Sequence, residues 1–161
     1  MRGHAYPVPS VWFAALAAGC GLALFAWPGR SWTAFWLVDA ALLVVLIVDA
    51  AACQSPSLIS VGRSLPEAMT LGEDATLNWA VANRGRRRVK LTVTDALWPS
   101  LAAERRRVTA SLRPGDVLRA STVLRPTRRG RFPLGDVTVR VESPWRLVSR
   151  QATRVVEGGL R

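Results

Sequence analysis

Arginine is the residue type in this chain best suited to chemistry, and it comes in runs: Arg86-Arg87-Arg88 with Lys90, Arg105-Arg106-Arg107, and Arg128-Arg129-Gly130-Arg131. A guanidinium stays charged and offers its donors in a planar fork, which suits recognition of phosphate or carboxylate better than proton transfer. The chain of 161 residues has a formal net charge of +11, and Lys90 is its only lysine. Up to Ala52, two arginines balance two aspartates, so the excess lies wholly beyond that point. On an alternating strand Arg86, Arg88 and Lys90 share one face, opposite Val89 and Leu91. Three roles stay open for the runs: a solvated face with charge-protected edges, attraction to anionic lipid, and nucleic-acid contact. The last is disfavoured by the lack of interleaved aromatic residues. Arg86, Arg87, Arg88, Arg128, Arg129 and Arg131 are the candidate partner-binding or lipid-binding residues.

Other chemistry is sparse. The single histidine, His4, has no cysteine or carboxylate at metal-ligand spacing, so no metal site is expected. The sequence has no glycine-rich phosphate loop ending in Lys-Ser or Lys-Thr, no Gly-x-Ser-x-Gly elbow, and no histidine placed to serve a nucleophile. The acids beyond Cys53, from Glu67 to Glu157, fall mostly at turns and strand ends, where turn formation and solvation account for them. No catalytic residue and no cofactor is nominated, and the chain reads as non-enzymatic.

Two apolar stretches come before the basic part. Val11 to Trp27 and Trp32 to Ala52 are separated by Pro28-Gly29-Arg30-Ser31. As helices they would measure roughly 26 and 31 Å, near the thickness of a bilayer's hydrocarbon core. Tyr6 and Trp12 mark one interface and Trp27, Trp32 and Trp36 the other. The expectation is a transmembrane helical hairpin over 11–52, with spans 11–27 and 32–52, preceded by a cytoplasmic tail at 1–10. A cleaved signal fits less well, because the first apolar run continues past Ala17-Ala18-Gly19-Cys20. Arg2 and Arg63 on one side against Arg30 in the connection favour both termini in the cytoplasm.

Within the hairpin, Ala14 and Ala18, Ala15 and Gly19, and Ala17 and Gly21 have the four-residue spacing that lets helices approach closely. Asp39 lies at membrane depth and Asp49 near the cytoplasmic end, within reach of headgroup water. Asp39, Ala14, Ala18 and Gly21 are therefore candidate helix-packing positions. Cys20 and Cys53 are a helix length apart, too far for a disulfide.

After Gln54-Ser55-Pro56-Ser57 the period changes to alternation. Ala75, Leu77, Trp79 and Val81 form one apolar phase, Val89, Leu91 and Val93 another, and Val137, Val139 and Val141 a third. Strands are expected near 57–63, 74–83, 87–95, 105–111, 116–125, 131–141 and 147–156, making 53–161 a basic, all-β antiparallel, immunoglobulin-like sandwich. Leu77, Trp79, Val81, Leu91, Val93, Val137 and Val139 should share its core, while Trp98 and Trp145 read as core or turn-packing residues.

Arg63-Ser64-Leu65-Pro66, Leu71-Gly72-Glu73, Val81-Ala82-Asn83 and Asp95-Ala96-Leu97-Trp98-Pro99, in that order after two apolar stretches, resemble the amino-terminal half of the domain-of-unknown-function 58 family. The segment Leu124 to Val137, with Arg128-Arg129-Gly130-Arg131 at its centre, is similar to that family's most recognisable sandwich segment. The resemblance implies a bacterial inner-membrane protein with a cytoplasmic sandwich, of a kind often encoded beside a MoxR-type ATPase and proteins with von Willebrand factor A domains, which are the candidate partners. It departs from the pattern at Ser143-Pro144-Trp145-Arg146-Leu147, where the family has a Gly-Leu step. The chain also stops at Arg161 before the family's von Willebrand-like half, as a truncated product, half of a split gene or a small relative would. The expected role is a membrane-anchored module that presents a basic surface for protein assembly. The alternatives are a periplasmic sandwich on the same anchor, or a basic module binding anionic lipid or nucleic acid.

Overall fold

In the computed structural model, residues 6–26, 32–66, 68–130 and 135–154 are described. The candidate Arg131, His4, and the connection between the apolar stretches lie outside them. Two helices, α1 (Val11–Ala26) and α2 (Trp32–Ala52), precede an antiparallel sandwich. Ser10 caps α1: its carbonyl accepts from the Ala14 N–H at 3.3 Å and its hydroxyl from the Phe13 N–H at 3.4 Å. Beyond α2, Pro56 has no N–H to extend a helical ladder, and Ser55 caps a single 3-10 turn at Pro56–Leu58.

Helix contact follows a different stripe from the one expected. The half-buried positions are Phe13, Ala17, Cys20, Gly21 and Leu24 on α1, and Ala34, Val38, Leu42 and Leu46 on α2. Both sets recur at the three- and four-residue spacing of a single helix face. Ala14, Ala18 and Asp39 are exposed and lie off this stripe. Gly21 lies on it, but a Cβ added there would meet nothing within 4 Å, so small residues are not drawing the backbones together. Bulkier Phe13 and Leu24 lie on the same stripe. Among the described residues, α2 alone is long and apolar enough to cross a membrane. The 16 residues of α1 span about 24 Å.

The sandwich contains the seven expected strands and one more. Residues 6–9, expected as tail, form β1 (Tyr6–Pro9) on the edge of a five-stranded sheet. The others are β2 (Ile59–Ser64), β3 (Ala75–Asn83), β4 (Val89–Asp95), β5 (Arg107–Leu112), β6 (Val117–Leu124), β7 (Val137–Glu142) and β8 (Val148–Arg154). The sheet order β1-β8-β7-β4-β5 faces β2-β3-β6, so the chain changes sheet between β1 and β2 by way of the helices, and again between β3 and β4, β5 and β6, and β6 and β7. That connectivity is immunoglobulin-like. Residues 131–134 of the expected strand 131–141 lie outside the described residues; ahead of β7, Gly135 passes so close to the Ala96 carbonyl that any Cβ there would collide with it. Gly130 takes φ 153°, a positive angle that glycine adopts readily.

All seven expected core residues are buried. Between the sheets lies a buried polar clamp. Arg63 of β2 reaches the Asp95 carboxylate of β4 at 2.8 Å and the Gly135 carbonyl at 3.2 Å, while the Trp79 indole N–H donates to Asp95 at 3.0 Å. Both charged side chains are essentially without solvent contact. A buried pair of this kind adds little net stability when intact, but removing one partner strands the other in a low-dielectric interior.

Asp95→Ala should therefore destabilise the full-length protein by about 3–5 kcal/mol, and Trp79→Ala by a similar amount, about 3–5 kcal/mol, through loss of core volume. Denaturant melts in a fixed detergent would measure both. A melt unchanged by either substitution would refute the clamp and the strand register behind it.

Candidate functional site

The densest polar constellation joins α2 to the sandwich, and its centre is Asp49. This carboxylate is 0% exposed. It accepts a very short hydrogen bond from the Ser143 hydroxyl. Backbone N–H groups of Trp145, Leu147 and Val148 also donate to it, at 3.0, 3.1 and 3.2 Å. Residues 143–148 are the turn between β7 and β8, so a helix side chain organises a strand turn almost a hundred positions later. The expectation that Asp49 reaches headgroup water is thus corrected: its polar partners come from protein.

Arginines complete the joint. Arg150 donates to the Ala50 carbonyl at 3.0 Å and Arg87 to the Ala52 carbonyl at 3.3 Å, satisfying acceptors that the last turn of α2 leaves open. Gln54 then bonds Asn83 at 2.9 Å, and Asn83 in turn donates to the carbonyls of Arg87 and Leu112. Arg154 binds the carbonyls of Ile59 and Pro56 at 3.0 and 2.9 Å. Cys53 is buried here as a free thiol, and Cys20 is also unpaired, as expected.

The predicted arginine surface is divided. Arg86, Arg87 and Arg88 lie in the β3–β4 turn beside the end of α2, and Arg88 also bonds the Ser111 hydroxyl at 3.0 Å. Arg128 and Arg129 are exposed in the loop after β6, next to Ser100 and Leu101. Strand β3 pairs its Ala75 end with Leu124 and its Ala82 end with Val117, which puts the two clusters at opposite ends of the sandwich. The nine-residue strand between them is roughly 25 Å long. Arg105 and Arg106 join Arg128 and Arg129 at the distal end, whereas Arg113 and Arg146 join the helix-proximal one. No contiguous surface contains all the predicted residues.

A polar groove of about 610 Å³ runs over the outer face of the five-stranded sheet, lined among others by Trp12, Thr92, Thr94, Arg107, Arg140 and Arg146. Arg140 is held by the Ser149 hydroxyl at 2.9 and 3.1 Å, and Glu142 pairs with Lys90 and Arg146 at 3.2 Å each. Among the described residues no group of three His, Cys, Asp or Glu side chains is placed to hold a metal. Elsewhere, the Arg125 guanidinium 2.8 Å from Asp74 holds that exposed carboxyl below its ordinary range through a direct hydrogen bond. This is a surface pair.

These features define an immunoglobulin-like sandwich joined to apolar helices through one buried carboxylate. No known family profile matches the chain, and no curated protein matches it. Among solved structures it is similar to the ASH/PapD-like domain of human CEP192 (PapD-like domain 7), at 13% sequence identity and a TM-score of 0.46, covering 65% of this chain and 92% of that one.

Asp49→Ala would leave the Ser143 hydroxyl and the Trp145 and Leu147 N–H groups without this acceptor, while the Val148 N–H keeps the Ser143 hydroxyl oxygen at 3.1 Å. It should cost about 3 kcal/mol or more, whereas Asp39→Ala, which removes an exposed acid from membrane depth, should not destabilise the protein. Thermal melts together with protease nicking at 143–147 would distinguish them. Equal, small effects would show that Asp49 does not hold the joint.

Proposed function

We propose that the protein is a non-enzymatic, membrane-anchored assembly module, with both helices in the bilayer and the sandwich held against its cytoplasmic face. The observation that carries this reading is the joint at Asp49, which fixes an apolar helix with exposed Leu37, Leu43, Val44, Ile47 and Val48 rigidly to a folded domain. A soluble domain has no use for such a helix in water.

Pairing of β1 with β8 supports the hairpin independently. Residues before α1 and residues after α2 belong to one sheet, so a chain that crosses on α2 must cross back on α1. The described part of α1 is a few ångströms shorter than a typical hydrocarbon core of about 30 Å, within what local thinning and flanking residues accommodate.

Division of the arginines suggests a division of labour. At ordinary ionic strength charge acts over about 8–10 Å, so only the helix-proximal set, Arg86 to Arg88 with Arg113 and Arg146, can feel lipid headgroups. Distal Arg128 and Arg129, with Arg105 and Arg106, stand too far out and are left to meet an acidic protein surface. The resemblance to the domain-of-unknown-function 58 family makes a MoxR-type ATPase and von Willebrand factor A-domain proteins the first partners to try.

Carboxyl-terminal reporter fusions test the topology: a cytoplasm-active reporter should work and a periplasm-active one should not, with the opposite pattern favouring a periplasmic sandwich on the same anchor. Arg128→Glu with Arg129→Glu should abolish salt-sensitive partner binding while leaving vesicle binding intact. Charge reversal at Arg86 and Arg88 should do the reverse. If neither pair changes either interaction, the arginines are solvated surface and the assembly reading fails.

A further inference from the structure

The turn between β7 and β8 reaches alongside α2 instead of stopping at its end. Trp145 and Leu147 donate their backbone N–H groups to Asp49, which lies three residues before the helix's final Ala52, about 4.5 Å back along the axis. On the other flank the Leu147 carbonyl accepts from the Ser10 N–H at 2.7 Å, where α1 begins. The turn is thus pinned between the start of one apolar helix and the last turn of the other. Its side chains are bare: Pro144 and Arg146 are exposed and Trp145 is 57% exposed. Trp12, in the first turn of α1, is 64% exposed at the same end of the molecule. Arg146 at 62° has the positive φ that swings the backbone back into β8, and it pairs with Glu142, so contacts within the sandwich act together with Asp49 on the turn's conformation.

An indole has an apolar body and one N–H, and its preferred environment is the boundary between headgroups and acyl chains. Exposure alone does not place Trp145 there, since Trp98 is 49% exposed at the distal end. Position does. Trp145 is tied to a helix side chain short of the point where that helix leaves the bilayer.

We propose that the β7–β8 turn is a third membrane contact, with Pro144 and Trp145 entering the headgroup–acyl boundary of the bilayer that α2 crosses. Two helix ends fix where the sandwich sits over the membrane, and the turn adds a third point at which it meets the lipid. The inference rests on the membrane-anchored reading, and the test separates the two.

Full-length protein carrying Cys20→Ser and Cys53→Ser would receive Trp145→Cys or Trp98→Cys, be labelled with an environment-sensitive fluorophore, and be reconstituted into phosphatidylglycerol–phosphatidylcholine vesicles. The label at 145 should emit to the blue of the label at 98 and be quenched several-fold more strongly by lipid brominated on its acyl chains. Pro144→Cys reports on the same turn if Trp145→Cys fails to fold. Equal, water-like emission at both sites in protein that resists alkaline carbonate extraction overturns the third contact and leaves the anchor standing. Release of the protein by carbonate overturns the anchor, and the contact with it. A blue shift that follows protein density and ignores brominated lipid shows a second copy covering the turn, which also overturns the proposal.

Discussion

The arrangement of this protein depends on one buried carboxylate. Asp49 takes a hydroxyl and three backbone donors from the β7–β8 turn. Without it the Ser143 hydroxyl and the Trp145 and Leu147 N–H groups would lose this acceptor. The same contact sets where α2 ends relative to β8, and β8 in turn offers the edge on which β1 pairs. Arg150 and Arg87 act from the sandwich side by capping the carbonyls of the helix's last turn. Helix and sandwich therefore share hydrogen bonds in both directions, and the boundary between them is a joint with no linker.

Much of the sandwich was legible because period-two alternation reports burial directly. Val89, Leu91 and Val93, and Val137, Val139 and Val141, occupy the inner phase, and every one is buried. Strand β1 was not legible: Tyr6-Pro7-Val8-Pro9 has two prolines and no alternation, and only a partner strand far along the chain makes it a strand. The role of Asp49 was hidden for the same reason, because no local spacing links it to Ser143. Of the small residues singled out on α1, Ala17 and Gly21 lie on the half-buried stripe and Ala14 and Ala18 do not, since four-residue spacing alone does not say which face of a helix meets its neighbour.

Charge also looked different once folded. Along the sequence the arginine runs suggest one basic surface, yet antiparallel pairing sends alternate loops to opposite ends of a sandwich. Arg86 to Arg88 and Arg128 to Arg129 follow successive strands of the three-stranded sheet and so emerge at opposite ends. Arg63, which sequence proximity places among the membrane-flanking charges, is buried against Asp95 in the folded protein. The polarity of the domain is a product of strand direction, invisible to composition.

Strand β1 has a consequence for how the protein is made. It precedes both helices, whereas its partner β8 is the last of the described strands, so this edge of the five-stranded sheet closes only when segments from opposite ends of the described chain meet. A bare edge is a template for aggregation, and closing it across so long a loop is slow. A chain in which β1 fails to reach β8 leaves that strand unpaired, open to the first foreign strand that meets it.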